Sequence, residues 1–168
     1  MSAPDRSTPV DVGTAFQLWW AVAGFGIAHL VCALADAYGQ RDQFVDQLAA
    51  DLAGRDPEMA LSRETTELLL YASFGIAVVL GLIVAALVLV IAYQMRRGRA
   101  WARTVLTILG VFLVMLAVPA LFGLGVATGL PAVLSGALAI LEGVAAAGAI
   151  VLMHRRDSNA YFLGRPPG

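Results

Sequence analysis

Glu142 is the residue whose type and position most directly suggest chemistry, because it stands in the middle of a long apolar run. An ionised carboxylate at the centre of a membrane is costly unless it is protonated or paired. His29 stands in another apolar run, about 7 Å from Glu142 in depth if both runs are centred. We predict that Glu142 faces inward. His29 either forms an intramembrane polar pair with it or bonds to a neighbouring backbone or hydroxyl group. Glu142 then either fixes helix packing or carries a proton, an ion or a cofactor.

Other arrangements that carry reactions are missing from the sequence. Cys32 is the single cysteine, so neither an intrachain disulfide nor a Cys/His metal cluster can form. His154 lies at the inner membrane edge and His29 in the outer half of the first run, which excludes the two as axial ligands of one haem. The sequence has no glycine-rich phosphate loop, no H-E-x-x-H and no G-x-S-x-G. We therefore expect no catalytic residue, no metal site and no cofactor, in a protein that is not an enzyme and does not bind nucleic acid.

Four apolar runs carry these residues. Hydrophobic residues make up 60% of the 168 residues and charged residues only 14%. About 20 apolar residues in a helix cross roughly 30 Å of hydrocarbon, with every backbone hydrogen bond satisfied inside the segment. Four runs meet this requirement, at residues 13–35, 68–93, 102–125 and 131–153. We predict an all-α polytopic membrane protein of four transmembrane helices, whose remaining segments are an N-terminal tail, an outer loop and a C-terminal tail at residues 1–12, 36–67 and 154–168.

The first run admits a second interpretation, as a secretory signal. Ala33 and Ala35 precede Asp36 in the A-x-A arrangement that a signal peptidase cuts. A signal also needs a basic N-terminal region, and Arg6 is the one basic residue there, against two acids. We therefore expect a retained spanning helix.

The charge on the connections predicts the orientation. The turn between the second and third runs holds a basic cluster without any acid, formed by Arg96, Arg97, Arg99 and Arg103. Residues 36–67 instead hold eight acids against three arginines. Because basic connections stay in the cytoplasm, we predict a bacterial plasma-membrane protein with both termini cytoplasmic. The basic cluster is also suited to contact anionic lipid or the acids of a partner.

Two patterns indicate packing against other helices. Phe44, Leu48 and Leu52 stand at i, i+4 and i+8, which predicts a short amphipathic helix in the outer loop. Its acids disfavour an anionic membrane surface, so it packs on a partner or on its own bundle. A stripe of small residues recurs every fourth position in the fourth run, at Ser135, Ala139, Gly143 and Ala147. Such a stripe lets another helix approach closely, within the chain or from a second one.

The four runs, the basic turn and the C-terminal sequence together resemble small four-helix integral membrane proteins of actinobacteria. The resemblance rests on RRGRAWAR at residues 96–103 and HRRDSNAYF at residues 154–162. Among such proteins the chain is similar to the prokaryotic respiratory supercomplex association factors, which accompany the cytochrome bcc and aa3 oxidase assembly of mycobacteria. This resemblance implies a cofactor-free accessory subunit that binds other integral membrane subunits and carries no catalytic residue. The alternative is a proton-coupled small-molecule transporter that uses Glu142.

Overall fold

The computed structural model describes residues 8–55, 62–123, 125 and 129–163, and all regular structure in them is helical. The helices are α1 (Val10–Gly39), α2 (Arg41–Arg55), α3 (Arg63–Arg96), α4 (Ala100–Gly123), α5 (Leu130–Met153) and α6 (Arg156–Leu163). Four of them, α1, α3, α4 and α5, are long and apolar enough to cross a membrane. The prediction of an all-α membrane protein with four transmembrane helices is confirmed. The tail segments 1–7 and 164–168 and the loop segment 56–61 lie outside the described residues.

α1 and α3 extend several residues beyond the apolar runs that predict them. α1 has 30 residues and α3 has 34, or about 45 and 51 Å at 1.5 Å per residue. Both exceed the roughly 30 Å of hydrocarbon, so each tilts or projects into water. α3 begins at a cap, where the Ser62 hydroxyl accepts a hydrogen bond from the Thr65 N–H. The predicted apolar run begins only after the charged residues at the start of α3, whereas the helix itself begins earlier, at its N-terminal cap.

The long helices form a ring in which α1 and α4 each pack on both α3 and α5, and the α1–α5 interface is the largest. The largest fully buried side chains of the spanning helices are Trp19, Met95, Leu106 and Met153. All four lie near the end of the bundle that carries the basic cluster, which we call the basic end. The opposite end carries α2, and we call it the α2 end. The core is therefore concentrated at the basic end.

The basic end is closed by α6, a helix within the predicted C-terminal tail. The Tyr161 hydroxyl donates to the Arg96 carbonyl at 3.1 Å, and its ring covers Gly98, which has a φ of +81°. Arg155 pairs with Asp11 at 3.1 Å. The Tyr161 ring lies 3.3 Å from where a Cβ at residue 98 would stand. Glycine therefore suits this turn both by its backbone conformation and by the space available.

At the α2 end, α2 packs on α3 of its own chain. Val45 is buried, although Phe44 remains 41% exposed. Arg63, in the first turn of α3, contacts three carboxylates at 2.9 to 3.3 Å, those of Asp42, Asp46 and Glu67. The hydrogen bond to Glu67, followed by the charge of Asp46, raises the pKa of the Arg63 guanidinium above its usual value. The amphipathic helix predicted for the outer loop is thus confirmed, and it lies on its own bundle.

Close helix contacts inside the bundle depend on glycine. A Cβ at residue 143 would stand 2.6 Å from the Cβ of Ala117, so α5 crosses α4 at this point with no room for a side chain. Gly143 belongs to the predicted small-residue stripe, and it is used within the chain. Gly24 on α1 is the opposite case, exposed and with no atom within 4 Å of its Cβ position.

We expect Gly143→Ala to destabilise the fold by about 1 to 3 kcal/mol, because the added methyl group forces α4 and α5 apart. The matched variant Gly24→Ala should be no less stable than the parent chain, because its methyl group meets open space and alanine favours a helix over glycine by up to about 1 kcal/mol. Unfolding in mixed micelles, followed by circular dichroism as denaturing detergent is added, measures both. Equal stability of the two variants would contradict the close α4–α5 crossing.

Candidate functional site

An open cleft of about 400 Å³ lies between the spanning helices. All four contribute to its wall, which includes Gly26 and Leu30 of α1, Gly81 and Ala85 of α3, Leu113 of α4 and Glu142 of α5. The lining is apolar except at Glu142 and His29. A concave apolar surface with few polar groups is the usual form of a small-molecule site.

The cleft lies beside a stretch of α3 that buries no side chain. Near the basic end, α3 buries Val88, Ala92 and Met95. Between residues 67 and 87, none of its residues is buried. Across the cleft, Leu30 of α1 contacts Gly81 of α3, where a Cβ on Gly81 would stand 2.5 Å from Leu30 Cδ2. Leu30 thus enters a notch in α3, and the space beside this contact remains open.

Glu142 and His29 meet on the wall of the cleft. His29 Nδ1 lies 3.7 Å from Glu142 Oε2, and the side chains are 35% and 16% exposed, respectively. Glu142 reaches α1 because residue 26 is glycine. A Cβ at residue 26 would stand only 3.0 Å from Glu142 Oε1. The carboxylate therefore occupies a recess in the surface of α1, three residues from His29.

The protein leaves hydrogen-bonding groups of both Glu142 and His29 unused among the described residues. At 3.7 Å the contact is an ion-pair distance and too long for a hydrogen bond. Among the described residues, neither the Glu142 carboxylate nor the His29 ring has a hydrogen-bond partner. Those residues also contain no group of three His, Cys, Asp or Glu side chains that could hold a metal ion. The pair can form hydrogen bonds with a polar group that enters the cleft.

The other residues singled out in the sequence lie away from this cleft. Arg96 stacks over the Phe16 ring at 5.1 Å and Arg103 over the Phe162 ring at 5.2 Å, both at the basic end. His154 Nδ1 contacts the Ile150 carbonyl oxygen at 2.9 Å. The basic cluster is thus separated from the polar pair by the buried core. Within the stripe, Ser135, Ala139 and Ala147 are half-buried.

Sequence reasoning missed the glycines that shape the cleft. Gly26 stands one helical turn before His29, a spacing that places both on one face of α1. On α3, Ala77, Gly81 and Ala85 recur every fourth residue, as the small residues of α5 do. This second stripe of small residues could have predicted that another helix approaches α3 closely.

We expect the double variant His29→Leu/Glu142→Met to be at least as stable as the parent chain, because apolar groups replace two partly buried polar ones. His29→Leu alone should be less stable, because Glu142 loses its partner. Thermal unfolding in lipid nanodiscs measures each variant. If the double variant is less stable than either single variant, the pair serves packing and the site interpretation fails.

Comparisons with known proteins add nothing to this geometry. No protein-family model matches the chain, and no curated protein or solved structure matches it. The candidate site is therefore defined by its own features. An intramembrane carboxylate and an imidazole meet at the wall of an apolar cleft between four spanning helices.

Proposed function

We propose that the chain is a non-catalytic accessory subunit of a larger membrane complex and that α3 is its docking helix. The observation that supports this role is the incomplete packing of α3, which buries no residue between positions 67 and 87. Helices associate in membranes through close packing and polar contacts, because lipid tails are as apolar as the side chains. A helix from another subunit would supply the contacts that α3 lacks in its own bundle.

The outward face of α3 is suited to such a partner. Large apolar side chains recur along it and are at least half exposed, at Leu68, Val79, Leu82 and Val90. The opposite face, with Gly81 and Ala85, lines the cleft. A partner on the outward face would hold α3 from outside while the cleft stays open inside.

Charge supports the proposed orientation, with the basic end in the cytoplasm and α2 outside. Basic connections are retained on the cytoplasmic side of membranes. Arg97 and Arg99 are exposed at the basic end, where they are available to anionic lipid or to acids of a partner. Both described chain ends lie on this side, since Asp11 pairs with Arg155.

The finer proposal, that the complex is a respiratory supercomplex, rests on the resemblance at residues 96–103 and 154–162. Tyr161 contacts Gly98 and Arg96, so these two segments form one surface at the basic end. A partner that recognises either segment would therefore meet both.

We expect a photo-crosslinking residue in place of Val79 to give a discrete heavier product in native membranes, because this position faces the proposed partner. The matched control is Phe112 on α4, which has the same 57% exposure and should give only lipid adducts. Gel electrophoresis and mass spectrometry of the tagged chain detect both products. Equal labelling of the two positions, together with purification as a free monomer in mild detergent, would exclude the docking role.

Orientation is tested with single cysteines in a Cys32→Ala chain. In intact cells, Gln47→Cys on α2 should react with a membrane-impermeant maleimide. Arg99→Cys in the basic turn should react only after the membrane is permeabilised. The reverse pattern of labelling would overturn the proposed orientation.

A second function is favoured by the polar pair at the cleft, namely a proton-coupled small-molecule carrier that uses Glu142. In that case Glu142→Gln, which cannot exchange a proton, should abolish proton-driven efflux of ethidium from cells and leave association with partners unchanged. Efflux that is equal in Glu142→Gln and parent cells would exclude this carrier role.

A further inference from the structure

We propose that the cleft binds a hydrophobic monocation whose charge replaces one proton on the Glu142–His29 pair. The cleft is also the site of the alternative carrier role. The accessory role does not depend on this binding, and binding is measured here without transport or partners.

The shape of the cleft sets the apolar part of the ligand. Its volume of about 400 Å³ falls within the roughly 300 to 1,000 Å³ usual for small-molecule sites. Leu80, Val84, Leu109 and Leu113 contribute apolar wall around the polar pair. Because the cleft is open and lies within the spanning region, an apolar molecule can enter it from the membrane. Such a lining favours a compact hydrophobic body over a sugar, a nucleotide or a peptide.

The polar pair sets the charge of the ligand. An ionised carboxylate in a low-dielectric site needs one positive charge nearby. That charge is either a proton, held on Glu142 or on His29, or the charge of a ligand. Glu142 Oε2 faces His29 at 3.7 Å, and no protein donor among the described residues occupies the carboxylate. A cation beside Glu142 therefore makes the proton redundant.

The binding step then balances in charge. One cation enters the cleft, and one proton leaves the pair for water. The N–H or O–H bond that held this proton breaks, and no other covalent bond of the pair changes. The wall residues supplied by α3 and α4 are all apolar, so α1 contributes His29 and α5 contributes Glu142 as the titratable groups of the cleft. Affinity for the cation should rise as the pH rises, because fewer protons compete for the same carboxylate. A neutral ligand would show no such competition.

The experiment is equilibrium dialysis of tetraphenylphosphonium against the full chain in phosphatidylcholine nanodiscs, with empty nanodiscs to subtract partitioning into lipid. We expect saturable binding and release of about one proton per bound cation into weakly buffered solution, as the charge balance requires. Glu142→Gln should weaken binding at least tenfold and abolish proton release. The matched control Glu64→Gln, on the exposed first turn of α3, should leave both unchanged.

Two further variants leave Glu142 and His29 in place and reduce the space inside the cleft. Ala85→Phe places a ring in the cleft from α3, and Gly26→Ala crowds Glu142 Oε1, which lies 3.0 Å from the added Cβ. Both should weaken tetraphenylphosphonium binding, and circular dichroism confirms that each variant is folded. Neutral triphenylphosphine oxide should bind at least tenfold more weakly than the cation. The inference is overturned if the neutral probe binds equally well, if Glu142→Gln or Ala85→Phe binds like the parent chain, or if no proton is released.

Discussion

The cost of placing one carboxylate inside a membrane organises this bundle. Glu142 lies against His29 on one side and is accommodated by the recess at Gly26. The next residue, Gly143, faces the other way and lets α4 cross α5 at a distance that no side chain would allow. Two successive residues of α5 thus fix both neighbours of this helix, one through a polar contact and one through an absent side chain. The largest interface of the bundle, between α1 and α5, is the one that contains the carboxylate.

The remaining helix, α3, is fixed at its two ends and open between them. Near the basic end it enters the core through Ala92 and Met95, both fully buried. At the other end, Arg63 ties its first turn to α2 through exposed ion pairs, which are weaker and sensitive to salt. Between these ends, residues 67 to 87 of α3 bury no side chain. This stretch borders the cleft on its inner face and exposes large apolar side chains on its outer face. Ligand binding and partner docking would therefore act on one helix from opposite sides.

The sequence allowed prediction of what depends on composition and local period. Apolar length predicted the four spans, and the spacing of Phe44, Leu48 and Leu52 predicted α2. The 3.7 Å contact of Glu142 with His29 was only one of several expected arrangements, because depth along a helix does not fix its tilt or rotation. The Gly26 recess depends on that same rotation, and α6 has only eight residues, too few for a clear apolar period. Pattern thus identified the elements, whereas the packing of glycines and the tilt of long helices determined the site.

The site depends on the contact between Glu142 and His29, and the distance between these two side chains in a lipid bilayer is the measurement that tests it most directly. The chain has two histidines and four glutamates, so ¹⁵N-histidine and carboxyl-¹³C-glutamate labels produce few pairs. Magic-angle-spinning NMR in bilayers should detect a dipolar coupling between the Glu142 carboxyl carbon and a His29 ring nitrogen, because Nδ1 lies 3.7 Å from Oε2, and this coupling should disappear in Glu142→Gln. A coupling absent from the parent chain, or retained in that variant, would mean that Glu142 faces lipid or another helix, and would contradict the site.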